Sequence, residues 1–182
     1  MKTRESITSI MLVICFIIAS SMTADAQKRR ERPARYKNMP RIGNRVTHVP
    51  RTSYRIPYKK TIYHYHSGVF YKPFNRFFII VNAPIGIRIR TLPPHHYRVI
   101  IGTRLYYYEY GSFYVQKANY YESVVPPLGA HVEELPEGYY KIVIEGRTYY
   151  ELNGVYYKAV VDDKGEVWYE VVGINHDMIN DQ

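Results

Sequence analysis

Three glycines spaced 43 residues apart, Gly68, Gly111 and Gly154, restrict the fold of this chain more than any other feature. Each closes a tyrosine-rich stretch. Counting on from the glycine, a proline recurs at the same offset in the first two copies (Pro84, Pro127). So do a second glycine (Gly86, Gly129) and a Leu-Pro pair (Leu92-Pro93, Leu135-Pro136). Self-similarity at a fixed period marks a supersecondary unit used more than once. It speaks to architecture and names no reaction.

The clearest local signal is Thr148 to Lys158, where Asn153-Gly154 supplies the positive φ angles of a two-residue type I′ turn between aromatic and β-branched flanks. That register sets Leu152 opposite Val155 and Tyr150 opposite Tyr157 on one face, with Glu151 opposite Tyr156 on the other. The same reading pairs Tyr108 with Phe113 and Tyr107 with Tyr114 around Tyr110-Gly111. Around Ser67-Gly68 it pairs Tyr65 with Phe70 and His64 with Tyr71. Apolar strands are expected after each hairpin, at 77–81, 121–125 and 167–172. Further strands are expected at 86–90, 97–101 and 140–144. No window carries helical periodicity. The expected class is therefore all-β: tandem small SH3-like barrels or one continuous twisted antiparallel meander. Cutting at the Val-Val strands gives a tyrosine hairpin plus first β-module over 62–125 and a second β-module over 120–173, followed by a C-terminal tail at 174–182.

The first 26 residues read as an export signal: Lys2 and Arg4, an apolar run from Ile7 to Ala19, then Ala24-Asp25-Ala26 before a cut at Gln27. Thirteen residues are too few to span a bilayer, which needs about 20. Lipidation at Cys15 is not expected, because Ile14 stands where a small residue is needed. The expected location is the periplasm or cell envelope. Between Gln27 and Lys60 stand twelve Lys and Arg against the single acid Glu31, with prolines recurring. Such a segment buries little apolar surface, and residues 27–61 are expected to form a basic disordered tail. Through residues 28–60 this tail would tether the modules to an anionic envelope surface or polymer. Export argues against nucleic acid as the partner.

The order of motifs resembles a known family. It runs Tyr106-Tyr107-Tyr108, Val124-Val-Pro-Pro-Leu-Gly-Ala130, Leu135-Pro-Glu-Gly-Tyr139, Val143-Ile-Glu-Gly146, Tyr149-Tyr150 and Tyr169-Glu-Val-Val172. This is similar to the exported bacterial family of unknown function numbered 6515 among domains of unknown function, over about residues 62–173. The first copy departs from it, with Asn82-Ala83 in place of Val125-Pro126 and with His64 and His66 among the aromatics. The resemblance implies a β-fold and an envelope location. It brings no catalytic residues.

Chemistry-bearing residues are few. Past the expected cut there is no cysteine, and Glu133, Glu134 and Glu137 read as a solvated rim rather than an acid/base pair. No catalytic residue, cofactor or enzymatic activity is expected. His64 and His66, two apart on a strand, share a side; with His95 and His96 they could hold Zn²⁺ or Ni²⁺. His64 also occupies the slot of Tyr107 and Tyr150, where a packed ring would serve. Among the 21 tyrosines, Tyr107, Tyr114, Tyr149 and Tyr156 form the expected solvent-side set, a surface for a peptide or glycan ligand. The expected function is a non-enzymatic envelope binding or structural module, with metal binding through the histidines as the alternative.

Overall fold

The computed structural model describes residues 35–94 and 96–175. Every regular element among them is a strand, and the strands form three antiparallel sheets of five. The all-β expectation holds. The first sheet contains β1 (Arg45–Val46), β2 (Tyr54–Tyr58), β3 (Thr61–His66), β4 (Val69–Phe74) and β5 (Phe77–Val81) in the order β1-β5-β4-β3-β2. The second contains β6 (Arg88–Ile89), β7 (Tyr97–Ile101), β8 (Arg104–Glu109), β9 (Ser112–Gln116) and β10 (Tyr121–Val124), ordered β6-β10-β9-β8-β7. The third contains β11 (His131–Val132), β12 (Tyr140–Ile144), β13 (Arg147–Leu152), β14 (Val155–Val161) and β15 (Val167–Ile174), ordered β11-β15-β14-β13-β12. None of the sheets closes into a barrel. Residues 35–162 and 167–175 make one compact body, to which the turn residues 163–166 do not belong.

The same order arises three times because the same local devices recur. Each sheet has a central hairpin with a two-residue tip at Ser67-Gly68, Tyr110-Gly111 and Asn153-Gly154, and both tip residues have positive φ in every case. These are the type I′ turns read from the sequence, and every cross-strand pair expected around them is present. Each sheet also begins with a tight turn closed from residue i+3 to residue i: Asn44 to Arg41, Ile87 to Pro84 and Ala130 to Pro127. The third residue of each is a glycine, Gly43, Gly86 or Gly129, at φ +87°, +89° and +77°. A type II turn demands that angle. Each glycine N–H then donates at 2.8 Å to the last long strand of its own sheet, at the Ile80, Ser123 and Val171 carbonyls. The third copy alone carries extra length, with β14 and β15 running on past a bulge between Tyr156 and Tyr157.

Two expectations are corrected. Residues 35–60 are not a disordered tail, since they carry β1 and β2. Gly43 stands 43 residues before Gly86, and Val49-Pro50 stands 43 before Leu92-Pro93, and the basic segment holds the opening of the first sheet. The arginines concealed it. They occupy the exposed positions, while Ile42, Val46, Val49 and Ile56 pack into the interior, and a two-residue strand is too short to show alternation. The module boundaries move accordingly. Instead of 62–125 and 120–173 there are three sheets, and β10 pairs only with β6 and β9 of its own sheet. The expected export signal at 1–26, residues 27–34 and most of the C-terminal tail lie outside the described residues.

The sheets share their faces. Alternation along β8 and β9 sends Tyr107 and Tyr114 to one side and Tyr108 and Phe113 to the other. The first pair meets Tyr63, Tyr65 and Phe70 of the first sheet in one apolar cluster. The second pair joins Leu152, Val155, Tyr157 and Val171 of the third sheet in a larger one. The second sheet is thus buried on both faces. In each sheet one ring packs edge-on against a ring of the last strand: His64 on Phe78, Tyr107 on Tyr121 and Tyr150 on Tyr169, with centroids 5.2, 5.2 and 5.1 Å apart.

Candidate functional site

A cleft of about 760 Å³ lies where the three units meet. The first sheet contributes the β2–β3 turn and Lys72 of β4. The second contributes its hairpin tip, and the third contributes its own tip together with Glu151 and Tyr156. That volume lies within the range of small-molecule sites. Three ammonium groups, Lys59, Lys60 and Lys72, face one carboxylate, Glu151, whose Oε1 already accepts the Gly154 N–H at 2.5 Å.

The wall of the cleft is fixed by three hydrogen bonds. Tyr58 Oη donates to the Ile85 carbonyl at 2.5 Å, and a Cβ on Gly86 would stand 3.0 Å from that oxygen. Asn82 Nδ2 donates to the Gly111 carbonyl at 2.8 Å, and the Ala83 N–H donates to Ser112 Oγ at 2.9 Å. Asn82-Ala83, the departure noted in the first copy, is therefore what fastens the second hairpin tip to the end of β5. Asn82 Oδ1 is buried and accepts no hydrogen bond among the described residues.

A second polar feature is enclosed. Glu109, at the end of β8, is 3% exposed, and its Oε2 has no hydrogen-bond partner among the described residues. Burial pushes its carboxyl up to about 7, against the opposing pull of the Arg35 guanidinium. The charge is felt by Tyr36, Tyr65, Tyr108 and Tyr114. Burial also holds the Tyr108, Tyr114 and Tyr157 hydroxyls well above the ordinary tyrosine range, so they stay neutral near pH 7. Glu109 does not line the cleft. The signal that would have found it is positional, since it holds the place of His66 and Leu152 in the other two copies.

The residues singled out from the sequence are scattered. His64 packs on Phe78, and its Nδ1 lies 3.3 Å from Ser53 Oγ. His66 Nδ1 lies 3.2 Å from Thr52 Oγ1. His96 Nδ1 lies 2.8 Å from the Pro93 carbonyl, with its ring edge-on to Tyr107. His95 is outside the described residues. Among those described, no three His, Cys, Asp or Glu side chains are placed to hold an ion. The expected tyrosine surface is corrected: Tyr107 and Tyr114 are 8% and 0% exposed, because the first sheet covers that face. Tyr149 and Tyr156 are half-buried, and of the four only Tyr156 lines the cleft. The glutamates at 133–137 hold the chain's described beginning. Arg35 pairs with Glu133 at 3.6 Å and Arg41 with Glu137 at 3.4 Å, and the Arg35 N–H donates to Glu134 at 2.7 Å.

Compared with known proteins, residues 33–175 match the model of a family of unknown function, DUF6515. No curated protein and no solved structure matches the chain.

Proposed function

The chain belongs to the DUF6515 family, whose function is unknown, and we propose that it is a non-enzymatic binding module that attaches to an anionic polymer or lipid surface of the cell envelope. One observation carries this reading. Residues 41–83 contain eight Lys and Arg and no acid, whereas residues 127–175 contain four Lys and Arg against nine Asp and Glu. All eight cations of the first unit are exposed. Each basic group near an anionic surface contributes about 1 kcal/mol, within a Debye length of about 8 Å at physiological salt. The export-like first 26 residues support an envelope location.

Deleting 28–60 would remove two strands, so the test neutralises charge instead. Arg45, Arg51, Arg55 and Arg76 are replaced together by glutamine, and sedimentation with vesicles rich in anionic lipid is measured across salt concentrations. Binding should weaken steeply with salt and fall at least tenfold in the variant. Equal binding by variant and parent, or binding indifferent to salt, removes the first unit from the role.

A further inference from the structure

The cleft exists because the third copy breaks the pattern of the first two. In the first sheet the central hairpin presents Tyr65 opposite Phe70, with ring centroids 4.8 Å apart. In the second it presents Tyr108 opposite Phe113, at 5.0 Å. Both pairs are buried against a neighbouring unit. The third hairpin presents Glu151 opposite Tyr156 in the same register. One ring is lost to a carboxylate, the other is half-buried, and the face that the first two sheets pack shut is open in the third.

What lines that opening is chemically selective. Lys59, Lys60 and Lys72 offer only donors and positive charge. Glu151 on the same wall is the single carboxylate among the lining residues and already accepts the Gly154 N–H, so positive charge prevails in the opening. A ligand that answers these groups must carry negative charge. Tyr156 adds a flat apolar ring at the wall. The first sheet offers a turn and side chains here rather than the free ladder of an edge strand, so an extended peptide would lack its usual backbone partners.

We infer that the cleft between the β2–β3 turn and the third hairpin binds an acidic sugar, a short run of uronate residues. The lysines take the carboxylates, and the sugar ring lies on Tyr156. This goes beyond the surface reading and shares none of the side chains used to test it.

Titration calorimetry of the full chain with trigalacturonate separates the two. Trigalacturonate should bind at least tenfold more tightly than the neutral galactose trisaccharide and than triglutamate. Lys60→Ala with Lys72→Ala, and separately Tyr156→Leu, should each weaken it at least tenfold with an unchanged melting temperature. The fourfold arginine variant should bind it as the parent does. Absence of trigalacturonate binding overturns the inference, as does equal binding of triglutamate, which makes the cleft a site for acidic peptide. Loss of binding in the arginine variant while both cleft variants bind normally also overturns it and returns the charge to the open surface.

Discussion

The second and third hairpins are the same device with their polarity exchanged. In the second, the aromatic pair Tyr108 and Phe113 lies 1% exposed on each residue, while the tip carries the polar pair Glu109 and Ser112. In the third, the tip carries Leu152 and Val155, both 1% exposed, while Glu151 and Tyr156 take the aromatic pair's place beside the cleft. A strand pair offers each neighbour only alternate residues. Exchanging which pair is apolar therefore decides which side of the hairpin can be packed shut. The second hairpin is covered on both sides and confines a carboxylate. The third buries its tip and leaves its face open.

The largest effect expected from this contrast is on packing. Phe113→Ala should destabilise the fold by about 3–5 kcal/mol, the usual cost of emptying a buried aromatic site. Tyr156→Ala, at the matching position, should cost about 1 kcal/mol, as expected where the ring is only half-buried. Urea denaturation of both variants measures the difference, and equal losses would mean that the two faces are packed alike.

The next effect is electrostatic and has a definite sign. Glu109 is raised to about 7 in the fold, above the ordinary carboxyl value near 4.3 that an unfolded chain would show. The folded state holds this proton more tightly, so its contribution is fully present below about pH 4.3 and is lost as pH rises through about 7. Glu109→Gln keeps the shape without the charge. It should be more stable than the parent by about 3–4 kcal/mol at pH 8, converting the shift at 1.36 kcal/mol per pH unit. Its melting temperature should be flatter between pH 5 and 8. A variant that keeps the parent's slope would show that the buried carboxyl is not its origin.

The smallest effect sharpens the comparison at the turns. Gly111 has φ +79°, and a Cβ there would lie 3.0 Å from both Asn82 Nδ2 and Leu152 Cδ2. Gly146 has φ +75° and nothing within 4 Å. Both replacements by alanine strain the backbone by about 1 kcal/mol. Only Gly111→Ala also disturbs the fastening between units, and it should cost about 1 kcal/mol more in the same denaturation measurement. Equal costs would mean that the tip is free to shift.

The all-β class, the three type I′ hairpins and their cross-strand partners were legible in the residues themselves. They depend on contacts between neighbours in sequence: a positive φ at Asn153-Gly154 or Ser67-Gly68 and a side chain two or three places either side of it. The opening turn of the first sheet was also present, in Gly43 and Val49-Pro50, but eight arginines and lysines on the exposed positions of that sheet concealed the few inward residues. The candidate site was hardly legible. Of the four tyrosines read as a surface, Tyr107 and Tyr114 alternate correctly with their neighbours yet are buried. Alternation distinguishes two faces of a sheet without saying whether a second sheet covers one of them.

By itself, then, the sequence determined what is local: strand, turn, register and the unequal distribution of charge between the units. Only the tertiary structure decided which faces meet. It set Glu109 in an apolar enclosure, brought Lys59 and Lys72 across from Tyr156, and tied Asn82 to the second hairpin tip. Those placements join residues from about 30 to about 100 positions apart. Their physical reason is that burial and charge act through space, and no spacing along the chain encodes which of three similar sheets will lie against another.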